Sequence, residues 1–219
     1  GSKYISNRIR SNIPKGPLGI NIGPNKDSPD RLKDYLECLR IFYDIADYIT
    51  VNISSPNTEN LRNFHDKAKF EELIQLIEQE KKQLKTSIPI VVKISPDLND
   101  NQIEFTSEIL LKYKVSAVII SNTTENNREN LKNIMKHQKG GLSGKPLEKR
   151  SNELISKFYN LLKGKIEIIG VGGVDSGKSA YDKFKAGANY IQLYTGMVFQ
   201  GPNIASIIKK DLKKLLTRD

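Results

Sequence analysis

The sequence predicts an α/β fold, a TIM-type (β/α)8 barrel with roughly the last six β/α units present and the first two missing from the chain. Three observations predict it. Short β-rich runs alternate with amphipathic helical stretches at spacings of roughly 30–45 residues, the pattern of repeated βα units. Each of those runs ends in polar or glycine residues, as a barrel requires, because barrels place their ligand groups at the C-terminal ends of the strands. An open doubly wound sheet would gather such groups near one switch point. No GxGxxG fingerprint follows any strand, which weakens that alternative further.

The chain opens with GSKYISNRIRSN, which is basic and helical rather than strand-like, so the first two units are expected to be absent. The first predicted strand is Leu18–Gly23, with Asn21 near its end. SPD at 28–30 then signals a helix start, and Arg31–Ala46 is amphipathic. The second strand, Tyr48–Ser54, ends at Asn52, Ser54 and Ser55. A helical pattern follows over Lys69–Leu84. The third strand, Ile90–Ser95, carries Lys93, and SPDLND at 95–100 introduces a helix over Asn101–Tyr113. The fourth, Val115–Ser121, runs into Asn122, Thr123 and Thr124. Helix Leu147–Leu162 leads to a fifth strand, Ile166–Val171, which is followed by Gly172 and Gly173. Helix Ser176–Ala186 leads to a sixth, Tyr190–Thr195, closed by Gly196. Near-continuous apolar strands of this kind are expected to be covered on both faces. The tail, IASIIKKDLKKLLTRD, is expected to dock as a last helix with its lysines outward. No composition break divides the chain, so residues 1–219 are expected to form a single barrel domain, incomplete on its N-terminal side.

Composition limits the function. With 37% hydrophobic and 27% charged residues the chain can bury a core. No apolar run approaches the roughly 18 residues that span a bilayer. The single cysteine, Cys38, rules out an internal disulfide and a cysteine-ligated iron–sulfur cluster. The net charge of +10 comes mostly from lysines scattered along helices, with no arginine-rich arm, so a solvated surface is expected rather than specific nucleic-acid binding. His65 and His137 lack metal-ligand spacing, and no metal site is expected.

Several residues carry chemistry. GGLSGKP (140–146), GVGGVDSG (170–177) and LYTG (193–196) are glycine-rich and fall late in the series, where barrels often hold a phosphate on backbone N–H groups. Tight turns alone would also use glycine. Lys93 stands inside an apolar strand, where an ammonium needs an anionic partner unless it faces out from an edge. Asn21, Asn52, Asn57 and Asn122 lie at strand ends, and amides that both donate and accept suit a flat heterocycle, although each could equally serve a turn. Ser54 and Ser55 have no Ser-His-Asp grammar. A serine can still relay a proton when a neighbouring hydroxyl shares it, and Thr58 supplies a candidate.

Taken in order, LGINIG, NISSPNT, VKISPD, SNTT, GGLSGKPL, IIGVGGVDS and IQLYTG resemble the dihydroorotate dehydrogenases, flavin enzymes of pyrimidine synthesis, over residues from about 16 to about 215. The resemblance implies a barrel with FMN at its C-terminal mouth and oxidation of dihydroorotate to orotate. Ser55 stands where the quinone-linked class has its catalytic serine and the soluble class a cysteine. It implies Ser55 as the base for the C5 proton, Thr58 in the relay, and Lys93 beside the flavin pyrimidine edge. FMN contacts are implied for Asn21, Asn52 and Ser121, with Gly144, Gly173, Tyr194 and Thr195 cradling its phosphate. Asn52, Asn57, Asn122 and Thr123 are implied to hold the substrate, under a lid running from Thr58 to about Lys67. The implied setting is a monomer, peripheral on the cytoplasmic side of the inner membrane, passing electrons to a membrane quinone through an N-terminal segment absent here. The upstream flavin loop is absent too, so these 219 residues alone are expected to bind FMN weakly or not at all. Other FMN barrels use a cysteine acid or a histidine base, which the Ser55 loop argues against. The remaining alternative is a non-catalytic barrel fragment.

Overall fold

The structure, a computed structural model, describes residues 1–57, 61–126, 128–129 and 131–217. Six parallel strands form one curled sheet in chain order: β1 (Gly19–Ile22), β2 (Tyr48–Asn52), β3 (Ile90–Ile94), β4 (Ala117–Ile120), β5 (Glu167–Gly170) and β6 (Tyr190–Ile191). Helices connect them, since parallel neighbours need a long crossover between them. These are α2 (Arg31–Phe42), α3 (Lys67–Gln83), α4 (Asp100–Lys112), α5 (Glu148–Leu162) and α6 (Gly177–Lys185). Helix α1 (Ser2–Ser11) precedes the sheet, and α7 (Thr195–Gln200) and α8 (Ile204–Leu216) follow it.

Local chemistry sets the helix starts. Asp30 accepts the Lys33 N–H at 3.0 Å, and Asn99 and Gln102 form a reciprocal capping box, so both SPD signals open helices as expected. Ser176 and Ser179 make the equivalent box for α6. The C-terminal turns are less usual. Lys85, Lys114 and Lys163, which follow α3, α4 and α5, all take positive φ, a conformation more often given to glycine.

Strand parity divides the sheet. Ile49, Val51, Ile90, Val92, Ile94, Val118, Ile120 and Ile168 point toward the helices and join the main core with Leu39, Phe70, Ile77, Leu110 and Phe158. The opposite parity holds a much smaller cluster of Val91, Ala117 and Ile119, flanked by Tyr48, Ile169 and Val171. Continuous apolar runs led us to expect cover on both faces, yet only the helix side is fully packed. Asn21 is exposed and Lys93 only partly buried on the other. The sixth strand is also shorter than expected. It stops at Ile191, and Thr195 begins α7. Helix α8 docks on α6 through Ile204 and Ile208, with Lys209, Lys210, Lys213 and Lys214 outward.

Candidate active site

The C-terminal ends of β2 and β4 meet in a polar knot. Asn52 Oδ1 accepts from the Ser54 hydroxyl at 2.9 Å, the Ser54 N–H at 3.2 Å and Asn122 Nδ2 at 3.4 Å. Asn122 Nδ2 also donates to Ser54 Oγ at 3.0 Å, and its Oδ1 accepts the Thr123 N–H at 2.8 Å. Ser54 is fully buried, so it serves as the hub joining the two asparagines. Beneath the knot, the Tyr35 hydroxyl donates to the Asn52 carbonyl at 2.7 Å. Burial pushes the Tyr35 phenol well above its ordinary pKa and keeps it a donor.

Beside the knot a cavity of 580 Å³ opens at the ends of β3 to β6. Eight of the predicted site residues line it together: Lys93, Ser121, Asn122, Thr123, Gly144, Gly173, Tyr194 and Thr195. Asn52 stands in register with Lys93 on the neighbouring strand, outside the lining but bonded to Asn122. Asn21 lies further away, exposed on β1 and in register with Thr50. Ser55 is half-buried, and its Oγ accepts the Asn57 N–H at 3.3 Å. Asn57 is exposed and faces Gly140, where an added Cβ would lie 3.6 Å from Asn57 Oδ1. At Gly141 a Cβ would fall 1.9 Å from Thr123 Oγ1, so glycine lets this loop close onto both the Ser55 turn and β4. Thr58 lies outside the described residues, as do 59 and 60 of the expected lid.

The later part of that lid, Leu61–His65, is a 3-10 turn held in place by Arg62. Its guanidinium pairs with Asp97 at 3.0 Å and Glu125 at 3.3 Å and donates to the Thr123 carbonyl. Behind it, Phe64 meets Tyr35 edge-on at 5.8 Å. His65, at the end of this turn, is buried. Desolvation and then the Arg62 charge push its pKa down to about 4, opposed by Asp97.

Two features bear on an anionic cofactor. Lys93 Nζ has no hydrogen-bond or ion-pair partner among the described residues, and burial pushes its pKa down. Gly172 and Gly173 both have positive φ, and no acceptor among the described residues takes the N–H of Gly172, Gly173 or Val174. Across the cavity the Thr195 hydroxyl donates to Ser143 Oγ at 3.0 Å, tying the first of the three glycine-rich loops to the last. Unaccepted N–H groups and a lone ammonium around one cavity fit a phosphate-bearing flavin. Sequence reasoning missed Tyr35, the role of Ser54, the Arg62–Asp97 pair and a buried lysine, Lys183. Only Lys183 left a signal, since it stands three residues after Ala180 on the buried face of α6.

Comparison with known proteins decides the family. The family model described as dihydroorotate dehydrogenase matches residues 1–216. The chain belongs to the dihydroorotate dehydrogenase family. It is 44% identical over 218 residues to a dihydroorotate dehydrogenase (quinone) of Buchnera aphidicola subsp. Schizaphis graminum, covering 97% of this chain and 65% of that protein. It is 42% identical over 202 residues to the mitochondrial dihydroorotate dehydrogenase (quinone) of Mus musculus, covering 91% of this chain and 51% of that protein. The chain thus spans less than two thirds of either relative. A crystal structure of dihydroorotate dehydrogenase from Eimeria tenella in complex with ferulenol superposes with a TM-score of 0.90 at 31% identity, over 99% of this chain and 62% of that one. Within this dehydrogenase family fold, no helix among the described residues is long and apolar enough to cross a membrane.

Proposed function

We propose that this chain is the greater part of a quinone-linked dihydroorotate dehydrogenase, which oxidises (S)-dihydroorotate to orotate for pyrimidine synthesis. The observation that carries this reading is the cavity at the strand ends, where Lys93, Asn122, Gly173 and Thr195 converge from four different units. The six units belong to a single (β/α)8 barrel domain, the other two preceding them in the full-length protein. FMN is the cofactor this site would hold, and it would supply the hydride acceptor and the link to a membrane quinone. Gly144, Gly173, Tyr194 and Thr195 would hold its phosphate, and Asn21, Asn52, Lys93 and Ser121 its other parts.

The chain's own residues have separable tasks. Ser55 removes the C5 proton. The Asn57 N–H aimed at Ser55 Oγ favours negative charge on that oxygen as the proton leaves. Thr58 shares the proton onward. Lys93 brings positive charge to a partly buried wall, where an ammonium acts more strongly than in water. The polar knot commits Asn52 Oδ1 to Ser54 and Asn122, which leaves Asn52 Nδ2 as a donor with no acceptor among the described residues. Asn52 and Asn122 with Asn57 and Thr123 then orient the planar substrate. The protein acts as a monomer, peripheral on the cytoplasmic side of the inner membrane, and docks its quinone through an N-terminal segment.

The test uses protein expressed from the whole reading frame. It is expected to purify with a flavin absorbance spectrum and to reduce a quinone with dihydroorotate. Ser55→Ala is expected to keep the flavin and to lose about 10²–10⁴-fold in turnover, the range for a general base. A Ser55→Ala protein with full turnover would remove the proposed base.

A further inference from the structure

Lys183 is fully buried in α6, and its hydrogen-bond partners are neutral. Its Nζ donates to Ser151 Oγ and to Asn152 Oδ1, both at 2.9 Å. No carboxylate among the described residues lies within ion-pair distance of it. Glu148 acts on it from further off, but that carboxylate is taken by Lys145 at 2.6 Å. The lysine stem passes beneath Gly170, the last residue of β5, where an added Cβ would fall 3.1 Å from Lys183 Cδ. Ser151 continues the path, donating to the Val171 carbonyl at 2.7 Å. Val171 leads directly into Gly172, where an added Cβ would sit 3.5 Å from Ser151 Cβ. The buried ammonium thus lies behind the same turn whose residues Gly172, Gly173 and Val174 line the cavity.

A tie between α5 and α6 needs no charge. Burying an ammonium among neutral acceptors is costly, and an apolar side chain of similar volume commonly serves stability as well. The C-terminal end of α6 favours a cation nearby, but only weakly. The retained charge calls for an anion, and the open N–H groups mark where one would sit. We propose that Lys183 is a positioning residue for the phosphate end of the cofactor: through Ser151 it fixes the Val171–Gly173 turn, and its buried charge favours a dianion on the cavity side of that turn. The proposal rests on the FMN reading above. Burial pushes the Lys183 pKa down to about 8, which still leaves it mainly protonated at neutral pH.

The experiment compares FMN and riboflavin, which differ by the phosphate, on the whole-reading-frame protein and its Lys183→Met variant, after removal of flavin. Lys183→Met is expected to weaken FMN about tenfold while riboflavin affinity changes less than about twofold. The 31P resonance of bound FMN is expected to move, with the flavin absorption band in place. Ser151→Ala keeps the charge and cuts the tie. It is expected to weaken FMN by a smaller factor, about threefold, and serves as the readout if Lys183→Met fails to fold. FMN binding unchanged in the folded variants overturns the proposal, and so does an equal loss of FMN and riboflavin. A parent protein that binds neither flavin overturns the FMN reading itself, a result separate from any effect of the variants.

Discussion

Lys93 and Ile94 are consecutive residues of β3, yet they serve opposite sides of the molecule. Ile94 points into the helices and is fully buried in the main core. Lys93 points the other way, into the cavity, beside Asn52 on one neighbouring strand and Ile119 on the other. The helix-packed face is mostly apolar, with Val, Ile, Leu and Phe interlocked between strands and helices and Lys183 and Ser151 among its polar exceptions. The inner face mixes a small apolar cluster with asparagine, lysine and serine at the C-terminal ends of the strands. The difference teaches that stability and chemistry are separated by strand parity in this fold. One face can be optimised for packing while the other retains unpaired polar groups that packing alone would eliminate.

Substitutions at these two neighbours test that separation. Ile94→Ala is expected to cost about 2–5 kcal/mol, read as a lowered denaturant midpoint, with flavin binding retained in the folded fraction. Lys93→Met is expected to do the reverse. Its unfolding midpoint should match or exceed the parent, because an unpaired ammonium is removed. Its turnover should fall about 10²–10³-fold, the range for losing a charge-stabilising donor. Loss of stability in Lys93→Met comparable to that of Ile94→Ala would erase the distinction between the faces.

A third expectation concerns pH and places acid sensitivity on the loop side of the fold. His65 has a folded pKa lowered to about 4 from 6.5, so between those values the unfolded chain binds the proton first. The stabilisation is present above pH 6.5 and is lost as the pH falls toward 4, by about 3 kcal/mol in all. Urea titrations at pH 7 and pH 4.5 check the slope, which His65→Gln should flatten. The smallest effect lies at a helix start. Asn99→Ala removes the α4 capping box and is expected to cost about 1 kcal/mol without touching turnover.

Much of the architecture was legible in the chain. All six strands, five connecting helices and two proline-associated helix starts follow from periodicity and turn chemistry, which are written within a few residues of one another. The glycine-rich loops and the polar strand ends were legible for the same reason. Eight of the predicted site residues do share one cavity, whereas Asn21 stands apart, exposed on β1, and Ser55 and Asn57 sit in the adjoining turn. The end of the sixth strand was misjudged because YIQLYT has strand propensity throughout, and only the turn into α7 stops it after Ile191.

What the sequence by itself determined is the order of units, the parallel sheet they imply and the family motifs at the strand ends. What only the tertiary structure decided is which side each residue serves. In a run such as IVVKIS, both parities are apolar, so no pattern within the strand tells which face the helices will cover. That depends on neighbours brought together from far along the chain. The same is true of the Ser54 hub, which joins residues 70 positions apart, and of Lys183, whose charge gains meaning only from the turn in front of it. Local periodicity fixes local structure, but the partner of a buried polar group is a long-range contact, and long-range contacts exist only once the sheet has formed.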